Sequence, residues 1–79
     1  MPDGRPLRYR ELIHRLSKFN VVECRHGSGS VRILYKENVE GKKASYSIHP
    51  HGEHHEFHRS VVKAVIRRFK ISEEAFWED

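Results

Sequence analysis

Apolar residues recur at two different spacings along this chain. Tyr9, Leu12, Ile13 and Leu16 stand at i, i+3, i+4 and i+7, with Phe19 extending the series, which predicts a helix with one apolar face over residues 7–19. Arg8, Arg10, Arg15 and Lys18 make its other face basic, and Asn20 is suited to end it in a left-handed conformation. The period then falls to two. "VVECR" predicts a short strand and "HGSGS" a hairpin turn. "SVRILYK" alternates Val31, Ile33 and Tyr35 against Arg32, Leu34 and Lys36. After the turn "ENVEGKK", "ASYSIH" sets Ala44, Tyr46 and Ile48 against Ser45, Ser47 and His49. This phasing assigns Tyr35 and Tyr46 to the apolar face, as core residues. Helical spacing returns at Val61, Val62, Val65, Ile66 and Phe69, opposite Arg59, Lys63, Arg67, Arg68 and Lys70. Ser72 is placed to cap a final short turn whose Glu73 and Glu74 suit its dipole, with Phe76 and Trp77 to pin it down.

Helix, three strands, helix predicts a two-layer α+β domain: a three-stranded antiparallel meander with one face covered by both helices. With 79 residues there is room for one domain. We expect a flexible tail over residues 1–6, where "MPDGRP" is rich in turn formers, and one folded unit over 7–79. Cys24 is the single cysteine, which excludes an internal disulfide and Cys-rich zinc modules. There is no run of 18 apolar residues and no apolar leader, so a cytoplasmic protein without a membrane partner is expected. A formal charge of +4 points to a polyanionic partner, either nucleic acid or an acidic protein surface.

Four segments then carry a family resemblance. "YRELIHRL", a Gly-Ser turn between the first two strands, a third strand ending in "IHPHGE", and "VVKAVIRRFKIS" together resemble the HicA-like (YcfA-like) toxins, from about Tyr9 to Phe76. The resemblance implies a double-stranded-RNA-binding-like α-β-β-β-α fold. It also implies metal-independent endoribonuclease activity on mRNA and restraint by a HicB-like antitoxin. In that family the catalytic histidine directly follows Gly-Ser at the start of the second strand. This chain departs there: Gly27-Ser28 precedes Gly29, and Gly29-Ser30 precedes Val31. The fold and RNA surface transfer more readily than the catalysis.

Five of the seven histidines crowd into "HPHGEHHEFH", residues 49–58. His54 and His58 stand at i, i+4, a spacing that can share a metal on one helical turn, but "HEFH" is one residue short of the HExxH pattern. Solvated histidines before a helix are the expected reading, with no native metal and no cofactor. Acid–base work is the stronger chemical reading. Cleavage of RNA by its own 2′-hydroxyl needs one group to take a proton and another to return it, and imidazole does either near neutrality. His51 is the first candidate, with His49 beside it at the end of the third strand and His26 before the Gly-Ser turn. For RNA contact the candidates are Arg25, Ser28, Ser30 and Arg32 around that turn, where backbone N–H groups and hydroxyls can meet phosphate, with Lys63 and Arg67 on the second helix. Each has a plainer alternative, a bare glycine hairpin or a solvated helix face. The expected function is RNA binding with weak or no cleavage; the competing one is a non-catalytic module binding an acidic HicB-like protein.

Overall fold

The computed structural model describes residues 5–25, 31–52 and 54–78, leaving aside the Arg25 side chain. The elements run β1 (Leu7–Arg8), α1 (Tyr9–Ser17), β2 (Val22–Arg25), β3 (Arg32–Val39), β4 (Lys42–Ile48), β5 (Glu56–Phe57), α2 (Arg59–Arg68) and α3 (Glu73–Trp77). Strands β2, β3 and β4 form an antiparallel meander in that order, as their short connections require. α1 lies against β2 and α3, and α2 against β4. The molecule is 19 Å across its shortest dimension, consistent with one sheet under one layer of helices.

The two helices cover a single face of the sheet. Leu12 and Leu16 of α1, and Val62, Val65 and Ile66 of α2, meet Leu34, Ala44 and Ile48 of the sheet in one core, closed by Leu7, Val21, Phe57, Phe69 and Phe76. Burying each large aliphatic or aromatic side chain contributes roughly 1.5–3 kcal/mol. α3 brings Phe76 into that core; Ser72 Oγ caps the helix by accepting from the Ala75 N–H at 3.4 Å.

Both longer helices end in the same way. At the end of α1, Asn20 adopts φ 64°, its N–H donates to Ser17 O and the Val21 N–H to Leu16 O. At the end of α2, Lys70 adopts φ 52°, its N–H donates to Arg67 O and the Ile71 N–H to Ile66 O. These paired bonds are the Schellman closure, which satisfies carbonyls the helix leaves open. Asn20 was expected there; Lys70 was not.

Two expectations need correction. The first helix begins at Tyr9, because Leu7 and Arg8 are extended and pair with Phe57 and Glu56 of β5. A two-residue ladder is too short to leave a period in the sequence, so Leu7 reads as helical by spacing alone. The phase of β3 is also inverted. Leu34 pairs with Tyr46 and Lys36 with Ala44, so Arg32, Leu34 and Lys36 form the helix-facing row. Val22, Cys24, Ile33, Tyr35, Ser45 and Ser47 share the opposite face, and none of them joins the core. Tyr46 is packed against the core as expected, whereas Tyr35 is not. Both rows of β3 contain apolar residues, so alternation alone could not choose between them; the ladder to β4 does. His54 and His58 stand on either side of β5.

Candidate nucleic-acid interface

The histidine-rich segment divides into two groups. His58 precedes α2 and caps it: its Nδ1 accepts the Ser60 N–H at 3.1 Å, and Ser60 Oγ lies 2.9 Å from the same nitrogen. An amide donor requires that nitrogen to be the acceptor, so the ring hydrogen sits on Nε2. His55 is half-buried and structural as well. Its ring meets Phe57 edge-on at 4.5 Å between centroids, and Phe57 in turn meets Tyr9 at 6.4 Å. The His55 carbonyl accepts the Tyr9 N–H at 2.8 Å, extending the β1–β5 ladder into the first turn of α1. His49, His51 and His54 are exposed.

His51 lies in the bend after β4, its ring 5.2 Å from that of His55. β4 ends at Ile48, just before Pro50, so His49 and His51 are not successive outward positions on one strand. His49 stands one residue beyond the Arg32–Ile48 pair, at the end of the sheet where the β2–β3 connection begins. Arg25 pairs with Arg32 across β2 and β3 at that end. Arg32 belongs to the helix-facing row, is half-buried, and donates from Nη1 to Val31 O at 3.2 Å. His26, Ser28 and Ser30 lie outside the described residues. Lys63 and Arg67, one helical turn apart on α2, are half-buried and exposed respectively. Among the described residues no group of three or more His, Cys, Asp or Glu side chains is arranged to hold a metal ion.

A second arrangement escaped the sequence reading. β3 and β4 are joined through Glu40 and Gly41, both at positive φ (51° and 87°), the backbone of a type I′ hairpin turn, and Asn38 Oδ1 accepts the Gly41 N–H at 2.7 Å. This turn stands beside the end of α2. Between them runs an open groove of about 430 Å³ lined by Val39, Glu40, Lys42, Lys43, Ala44, Arg68 and Lys70. Lys70 Nζ pairs with Glu40 at 3.1 Å. Arg68 Nε donates to Ser45 O at 2.9 Å on the free edge of β4. Lys42 and Lys43 have no ion-pair partner among the described residues. Four cations thus face one carboxylate. The lysines read as a turn and the arginine as a helix face; only the hairpin's return to the end of α2 brings them together, and no local pattern announces it.

A smaller open groove of about 300 Å³ lies between α1 and β2, lined by Tyr9, Arg10, Ile13, His14 and Glu23. Its charges are mixed, unlike those of the α2–β4 side. No helix among the described residues is long and apolar enough to cross a membrane. The chain matches no protein-family model, no curated protein and no solved structure.

Proposed function

We propose that this is an RNA-binding domain of the HicA-like type, contacting its ligand mainly through phosphates and retaining weak or no ribonuclease activity. The observation that carries the reading is the concentration of exposed cations on the α2–β4 side: Arg68 and Lys70 of the helix and its end, with Lys42 and Lys43 of the strand. Cations concentrated on one side suit a polyanion better than the same number scattered. The order of helices and strands, with both longer helices on one face of an antiparallel meander, agrees with the double-stranded-RNA-binding-like arrangement that the resemblance implies. His51 is the first candidate for proton transfer if cleavage occurs, with His49 and His26 behind it. The slot after Gly-Ser that the family fills with histidine holds Gly29 or Val31 here, and a positioned acid–base group accounts for about 10²–10⁴ in rate.

The test is a binding titration with single-stranded and duplex RNA at two salt concentrations. Affinity should drop steeply as salt rises, because released counterions supply most of it. Expression without a partner should leave growth and mRNA largely intact; strong toxicity abolished by His51→Ala would restore full catalysis to the account. A second reading, a docking module for an acidic HicB-like protein, draws on the uncovered sheet face, where Val22 is 52% exposed beside Cys24, Ile33 and Tyr35. Absence of RNA binding at low salt would leave that reading standing.

A further inference from the structure

Lys42, Lys43, Arg68 and Lys70 form one groove, and two features of its backbone set it apart from an ordinary basic surface. Among the described residues, the non-glycine positions with positive φ are Asn20, Glu40 and Lys70. Asn20 is a common helix terminator. Glu40 and Lys70 are not the residues these conformations favour: glycine suits the end of a helix, and Asn, Asp or Gly the first position of a type I′ turn. Both unfavoured residues lie at this groove, paired with each other at 3.1 Å. A side chain kept where the backbone prefers none is a sign that the side chain is used.

The remaining geometry suits an anion. The Schellman closure at Lys70 occupies the carbonyls of Ile66 and Arg67, so the negative end of α2 is partly satisfied within the chain. Arg68 is held to the β4 edge through Nε, and its Nη groups make no hydrogen bond among the described residues. That leaves the face of the guanidinium that binds phosphate oxygens in pairs. Glu40 neutralises Lys70 while the groove is empty of ligand, and a competing phosphate would release it.

We propose that this groove, between the β3–β4 turn and the end of α2, is a binding site for two or three adjacent phosphates, held by Lys42, Lys43, Arg68 and Lys70 with Glu40 as an internal competitor. The phosphates come either from an RNA backbone, in which case the proposal deepens the RNA-binding reading and rests on it, or from a free polyphosphate chain. Inorganic tripolyphosphate is the probe that separates the groove from the rest of the molecule, and inorganic phosphate is its short control. At low salt, tripolyphosphate should shift the backbone amide resonances of Lys42, Lys43, Arg68 and Lys70, and inorganic phosphate should bind far more weakly. Lys42→Glu/Lys43→Glu should weaken tripolyphosphate by about tenfold or more, and Glu40→Gln should tighten it, an opposite sign that general damage to the fold cannot produce. Circular dichroism of each variant checks that it is folded.

Titration with a short single-stranded RNA identifies the source. A loss of RNA affinity in Lys42→Glu/Lys43→Glu, with the log–log salt slope smaller by about 1.4, assigns the site to backbone phosphates. Unchanged RNA affinity with tripolyphosphate binding lost assigns it to a free polyphosphate. No amide shift in the groove on adding tripolyphosphate, together with RNA affinity indifferent to Lys42→Glu/Lys43→Glu, overturns the proposal while leaving RNA binding by the wild type as a separate result.

Discussion

Arg15 is buried and ties α1 to α3. Its Nη1 donates to the carbonyl of Phe76 at 2.9 Å, 61 residues along the chain, and its Nε meets Glu11 at 3.1 Å. Arg5 reaches the same carboxylate at 3.1 Å. Partial burial of Glu11 raises the pKa of its carboxyl, but hydrogen bonds from Arg15 and Arg5 and the charge of both outweigh it, and the net shift is downward. Glu11 therefore adds stability that is fully present above its unfolded value of 4.5 and is lost as pH falls through the lower folded value. Melting temperature measured against pH should show a shallower acid limb in Glu11→Gln than in the wild type. Arg15→Met should cost about 1.5–3 kcal/mol in denaturant unfolding, because it leaves the Phe76 carbonyl unpaired. Lys70→Gly should behave in the opposite sense, stabilising the fold by about 0.5–1 kcal/mol through relief of the left-handed backbone. That variant also separates the two demands on position 70, since it should weaken tripolyphosphate binding while raising the melting temperature.

Legibility at the level of elements depended on whether one face was distinct. α1 and α2 each have a single apolar stripe, and both were recoverable from spacing to within about two residues at their ends. β4 alternates cleanly, with Ala44 and Ile48 buried and Ser45 and Ser47 exposed, and its inward row was read correctly. β3 has apolar residues in both rows, and there the reading failed. The consequence is measurable. Leu34→Ala should cost about 2–5 kcal/mol, whereas Ile33→Ala should cost about 1 kcal/mol or less, the reverse of what the sequence phasing implies. The histidine cap of α2 was missed because His is not a usual N-cap residue; the signal lay in Ser60, two positions on, whose N–H His58 receives. The basic groove was invisible for another reason: its cations come from segments more than 20 residues apart, and only the tertiary fold unites them.

Across the whole molecule the cations and the histidines serve different ends. Two of the five clustered histidines are occupied in structure, one as a cap and one as a wall beside Phe57. Stoichiometric zinc should therefore leave the melting temperature nearly unchanged; a chelator-reversible rise of more than about 5 °C would reveal a site the fold does not suggest. The chain's one tryptophan adds a consequence of another kind. Trp77 stands on α3 with the guanidinium carbons of Arg5 and Arg15 at 5.1 and 5.4 Å from its ring, and Phe76 edge-on at 5.0 Å. Intrinsic fluorescence is therefore a local gauge of the seam between α1 and α3, and far-ultraviolet dichroism a gauge of the backbone as a whole. Superimposable unfolding curves from the two would mean that this seam melts with the core as one unit. An earlier fluorescence transition would mean that α3 lifts away first, exposing Phe76 while the sheet and its two longer helices persist.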